Sequence, residues 1–81
     1  MRKINEKVAG AFLDKRSAKG ASISTDGATL WSYSTRIAKW DGGRVIMDAR
    51  KYSRTTSQQQ NDFRTCARAR GVEVVEVLED L

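Results

Sequence analysis

Eighty-one residues, 40% of them hydrophobic, suffice for one modest core and a single domain over residues 1–81. Histidine is absent and Cys66 is the only cysteine, which excludes a Ser-His or Cys-His nucleophile pair, a His-containing zinc site and an internal disulfide. The net charge of +5 is unevenly spread: all fifteen Lys and Arg lie within residues 1–70, where six acids leave +9, and the last eleven residues carry four acids and no base. Such asymmetry fits a basic surface for nucleic acid restrained by an acidic tail, or equally a solvated surface whose halves pair with each other.

The remaining carboxylates are dispersed, so the expectation is a protein that is not an enzyme, with no catalytic residue, no metal and no cofactor. No apolar run approaches the ~20 residues of a membrane span. The N-terminus opens with positive charge, but Asn5, Glu6, Asp14 and Lys15 interrupt any uniform apolar segment. With a lone cysteine, this points to a cytoplasmic protein with no membrane partner.

Ile4, Val8, Ala11 and Phe12 recur at helical spacing and predict a helix from about residue 4 to 16, ended where Gly20 takes a left-handed turn. Leu13 lies off that stripe, against a partner or simply exposed. Asp26-Gly27 then marks a type I′ hairpin between arms 21–25 and 28–34. Leu30, Ser32 and Ser34 alternate with the bulkier Trp31, Tyr33 and Thr35, so the face of Trp31 and Tyr33 is the one expected to be buried.

Asp41-Gly42-Gly43 marks a second hairpin. In its return arm Val45, Met47 and Ala49 face the core, and Arg44 and Arg50 face outward. Thr56 and Gln59 form a capping-box pattern that launches a second helix, with Gln59, Phe63, Cys66, Ala67 and Arg70 on one side and Gly71 as its stop. The apolar stripe there is thin, so the helix must lean on the sheet. Residues 72–78, "VEVVEVL", close the chain as a strand whose glutamates deter promiscuous edge pairing, or which pairs across a homodimer axis. The sum is an α+β domain: two helices packed on a mostly antiparallel sheet of about four to five strands, in the order α-β-β-β-β-α-β.

Three constellations carry chemistry. Tyr52-Ser53-Arg54-Thr55-Thr56-Ser57 places hydroxyls and an arginine at a helix start, which suits a phosphate or carboxylate; turn and capping duty explains most of the hydroxyls but not Arg54. Arg36, Lys39, Arg44, Arg50, Lys51 and Arg54, interleaved with Tyr33, Trp40 and Tyr52, form a basic surface with aromatic platforms, unless Tyr33 and Trp40 serve the core. Arg64 and Arg68, one turn apart, extend that patch or form a solvated face. Cys66, third, reads as a buried structural thiol.

The succession Leu30, Trp31, Tyr33, Ile37, Ala38 and then Tyr52-Ser53-x-Thr55-Thr56-Ser57 resembles a widespread group of small phage-encoded proteins of uncharacterised function, over about residues 20–62. Members often carry a Lys-His-Gln run where this chain has Gln58-Gln59-Gln60, so a function that depends on that histidine is absent here. The resemblance implies phage or prophage origin and a role in binding. The leading expectation is a phage accessory protein that binds a host or phage protein or nucleoprotein complex in the host cell cytoplasm, as an anti-CRISPR-like inhibitor of a defence complex would. The alternative is direct nucleic-acid binding through phosphate contacts.

Overall fold

The computed structural model describes residues 3–50, 52–79 and 81. Helix α1 (Lys3–Leu13) is followed by β1 (Ala18–Lys19), β2 (Ile23–Thr25), β3 (Thr29–Ser32), β4 (Thr35–Asp41) and β5 (Arg44–Asp48). Helix α2 (Arg54–Arg70) and β6 (Val74–Val77) complete the chain. The strands form one sheet in the order β1-β2-β3-β4-β5-β6, antiparallel except where α2 carries the chain over to place β6 parallel to β5. The α+β class and mostly antiparallel sheet follow the expectation. The sixth strand is β1, a two-residue edge too short to leave an alternating pattern.

Both helices pack on one face of the sheet. Val8, Ala11 and Phe12 are buried as the helical spacing predicts, whereas Ile4, the first residue of that stripe, is exposed. Phe12 meets Phe63 of α2 edge-on at 5.6 Å between ring centres. Ala9 and Leu13 are buried as well, contrary to the expectation for Leu13. The reason is that α1 is covered by α2 as well as by the sheet, so its buried face is wider than one stripe. The helix also stops earlier than predicted. Lys15, not Gly20, takes the left-handed conformation (φ 60°), and Trp40 Nε1 donates to the Phe12 carbonyl at 2.9 Å. Gly20 is needed for room instead: a Cβ there would lie 2.8 Å from the Ile4 side chain.

The first hairpin turn is not type I′. Only Gly27 has positive φ (97°), because the Asp26 carboxylate accepts from the amides of Ala28 and Thr29, both at 2.9 Å, and holds the turn by itself. These two amides draw the Asp26 pKa below its ordinary value. Tyr33 and Ser34 make a further turn, with Tyr33 at φ 55°, that joins β3 directly to β4.

Helix α2 begins at Arg54, two residues before the expected cap. Ser53 is the N-cap, its hydroxyl accepting from Thr56 N at 3.3 Å, and Gly71 (φ 69°) closes the C-terminus as expected. Thr56 and Gln59 therefore face the sheet rather than cap. Thr56 shares a 2.8 Å hydrogen bond with the Ser32 hydroxyl, Gln59 donates to Ser22 at 2.8 Å, and Gln60 donates to the Asp48 carbonyl at 2.6 Å. Asp62 accepts from Asn5 at 2.8 Å. The polar run that opens α2 is thus a buried hydrogen-bonded seam between helix and sheet, and it hands over to Phe63, Cys66 and Ala67 in the apolar core.

Candidate functional site

Strand pairing fixes which side chains share a face. Ile23, Thr25, Leu30, Ser32, Ala38, Trp40, Val45 and Met47 lie under the helices, linked by the pairs Thr25–Leu30, Leu30–Ala38, Ala38–Met47 and Trp40–Val45. The opposite face is crossed by two rows, Lys19–Ser24–Trp31–Arg36 and Thr29–Lys39–Ile46–Val75. No element among the described residues covers it. Trp31 is half-buried by its neighbours on this open face, and Tyr33, at its margin, is 65% exposed. The expectation that Trp31 and Tyr33 face the core is therefore wrong. The buried partners in β3 are Leu30 and Ser32, and Ser32 is tolerated inside because Thr56 satisfies its hydroxyl.

One irregularity builds this face. Arg36 and Lys39 are three residues apart, so strict alternation would put them on opposite sides of β4. The ladder shifts register between Leu30 and Trp31: Leu30 faces Ala38, whereas Trp31 faces Arg36. Ile37 is the extra residue of a β-bulge. Ile37 and Ala38 are consequently both buried in the core, and Arg36 and Lys39 both stand on the open face beside Trp31. Among the described residues neither cation has a carboxylate within ion-pair distance.

The other expected site residues divide. Arg44 is on the open face at the far end of the hairpin, 3.6 Å from Asp41 and exposed. Arg50 and Tyr52 belong to a closed cluster around Asp48 at the end of β5. The fully buried Asp48 carboxylate accepts from the Arg50 amide (3.0 Å), from Arg50 Nη2 (2.8 Å) and Nε, and from the Tyr52 hydroxyl. Burial pushes the Asp48 pKa up, but the hydrogen bonds from Arg50 and Tyr52 outweigh it and hold it below the ordinary value. Burial and the adjacent carboxylate raise the Tyr52 pKa, and the Asp48 contact raises that of Arg50. These two side chains are committed to structure, and Arg50 turns onto Asp48 instead of facing free solvent.

Arg54 is exposed in the first turn of α2, where its charge opposes the helix dipole and no described carboxylate pairs with it. It lies at the same end of the sheet as Tyr33 and Arg36, since Ser32 and Thr56 touch there. Lys51 lies outside the described residues. Arg64 and Arg68 do not join the patch, because they sit in the helix layer on the other side of the sheet. Arg64 bridges Asn61 and Glu76 at 2.8 and 2.9 Å, and Arg68 rims a groove beside β6. Trp40 is structural, with Phe12 5.8 Å and the Lys15 ammonium 4.8 Å from its ring. Cys66 is buried, and that burial pushes its thiol pKa up.

The arrangement thus offers a basic, partly aromatic sheet surface made of Lys19, Trp31, Arg36 and Lys39, with Tyr33 and Arg54 at one end. Lys19 and Trp31 were not foreseen as site residues. The adjacent apolar pair Ile37-Ala38 inside an otherwise alternating strand is the signal that would have found the face. No helix among the described residues is long and apolar enough to cross a membrane, and no group of three metal-ligating side chains occurs among them. No curated protein and no solved structure matches the chain. Residues 6–76 do match the model of a family of unknown function, DUF8033, and the chain belongs to that family.

Proposed function

We propose that the chain is a non-enzymatic binding protein of phage origin that holds single-stranded nucleic acid on its open sheet face. The strand is either free or displayed by a host nucleoprotein complex such as an antiviral defence complex in the host cytoplasm. One observation carries this reading: the Ile37-Ala38 bulge places Arg36 and Lys39 together, with no described carboxylate partner, beside Trp31 on a face that no other described element covers. Cations that track phosphates next to an aromatic platform that takes a base are the two parts a sequence-tolerant single-strand site requires.

The test is a titration of labelled single-stranded DNA and RNA at low salt, followed by anisotropy and by tryptophan emission. Binding that quenches Trp31, falls with salt and is lost in Arg36→Gln/Lys39→Gln is the expected result. Absence of binding to any single strand at low salt overturns the direct reading. Pull-down of tagged protein from host lysate, with and without nuclease, separates the two sources of the strand: a partner complex retained only while its nucleic acid is intact identifies the displayed form.

A further inference from the structure

The second exposed feature is the outer edge of β6. Val45 N donates to the Glu73 carbonyl (2.9 Å) and Ala49 N to the Val77 carbonyl (2.7 Å). In a parallel ladder this alternation turns the backbones of residues 73, 75 and 77 toward β5, and it leaves the N–H and C=O groups of Val74 and Glu76 aimed at the free edge. No strand among the described residues takes them. The edge carries neither a proline nor a bulge, and its one protection is the charge of Glu76, which a partner of matching charge removes. On the helix side the edge is bordered by a groove of about 230 Å³ between Arg64, Ala67, Arg68, Val72, Val74 and Glu76. Its floor is apolar, and its rim carries two arginines.

We infer that β6 pairs antiparallel with β6 of a second copy about a two-fold axis, with Val75 opposite Val75. Three constraints select this occupant and this register. The outward-facing residues must meet each other, so Val74 and Glu76 of one copy pair with Glu76 and Val74 of its partner as hydrogen-bonded pairs. Of the two registers shifted by one residue on each chain, one sets Glu76 directly against Glu76 and is disfavoured by like charge, and the other sets Val74 against Val74 and leaves only that pair within both strands. Finally, the chosen register lays the partner's Glu76 beside Val74, over the groove rimmed by Arg64 and Arg68. Arg68 has no carboxylate partner within the described chain. Arg64 is already paired with its own Glu76 at 2.9 Å, so the complementarity an isologous dimer needs rests on Glu76 of one copy meeting Arg68 of the other.

Pairing of this kind puts both helix layers on one side and both open faces on the other. Each basic patch lies on β1–β4, so the dimer sets two such patches on one side, flanking a seam of Ile46 and Val75 from both copies.

Sedimentation velocity on the full chain, from micromolar to sub-millimolar concentration, is expected to show a mass that doubles and stops at two. Amide exchange at Val74 and Glu76 is expected to slow as the dimer forms. Val74→Pro removes an edge N–H that β5 does not use and is expected to abolish the doubling. Glu76→Arg and Arg68→Glu each weaken the dimer, and an equimolar mixture of the two restores it, because every glutamate then meets an arginine again. A chain that stays monomeric with freely exchanging Val74 and Glu76 amides overturns the proposal. So does open-ended growth beyond two copies, or a mixture of the charge variants that fails to reassociate.

Discussion

Replacing Asp48 by asparagine tests whether the closed cluster at the end of β5 holds the fold. The Asp48 side chain is fully buried, and its two oxygens accept one backbone amide, two guanidinium N–H groups and the Tyr52 hydroxyl. Asparagine keeps the shape but loses the charge, and its NH2 group points a donor at donors. A hydrogen bond to a charged group contributes about 1.5–3 kcal/mol net. Arg50 is 41% exposed, so water replaces part of what its guanidinium loses and that share is discounted. The expected cost is therefore about 2–3 kcal/mol, against a total stability on the order of 4–12 kcal/mol for a domain of this length. With a urea slope of about 1 kcal/mol/M for a small domain, the midpoint should fall by about 2 M.

Urea unfolding followed by tryptophan emission at neutral pH measures it directly. The same pair of proteins gives the pH dependence. A carboxyl whose folded pKa is depressed contributes stability that is fully present above its unfolded value, near ~3.9, and lost as pH falls through the folded value. The gap between the parent protein and the Asp48→Asn variant should accordingly narrow below about pH 4. Midpoints that coincide at neutral pH, or a gap that stays constant into acid, would refute this account of the cluster.

On the open face, Arg36→Gln should lower the slope of log K against log salt for single strands by about 0.7, and Trp31→Ala should cost about 1–3 kcal/mol of binding with the slope unchanged. Anisotropy titrations at several salt concentrations separate the two effects. Tyr52→Phe should behave in the opposite way, lowering thermal stability by about 1 kcal/mol while leaving strand affinity alone, because its hydroxyl is spent on Asp48. Gly27→Ala should destabilise by about 1–3 kcal/mol in calorimetry, since the residue sits at φ 97° and a Cβ would lie 2.9 Å from the Lys15 carbonyl oxygen.

The regular elements were legible because their signals are local. The Val8–Phe12 stripe, the Asp-Gly turns, the Val45/Met47 alternation and the Gly71 stop each depend on a few neighbouring residues. What misled were residues whose environment is set from far along the chain. Leu13 is buried on a helix that packs on both α2 and the sheet, and Ser32 is tolerated on the inner face of β3 because Thr56, 24 residues later, meets its hydroxyl. Thr56 and Gln59 have the spacing of a capping box, yet Ser53 satisfies the helix start and releases both for the sheet. Arg50 and Tyr52 read as a free basic-aromatic pair because Asp48 looks, in sequence, like an ordinary outward residue of an alternating strand.

The β4 strand shows why that distinction matters for function. Its sequence, Thr35-Arg36-Ile37-Ala38-Lys39-Trp40-Asp41, breaks alternation once, at two consecutive apolar residues. Burial of both is compatible with a regular strand only if one of them is extra, and an extra residue reverses the parity of everything after it. Without the bulge, Lys39 would lie under the helices among Leu30 and Met47, an unpaired ammonium in an apolar core, and Trp40 would leave the Phe12 carbonyl it now satisfies. The core and the open face therefore impose the same irregularity. The bulge that lets Ile37 and Ala38 both pack inward is what gathers Arg36, Lys39 and Trp31 outward, so the basic face is a direct consequence of how this small core is filled.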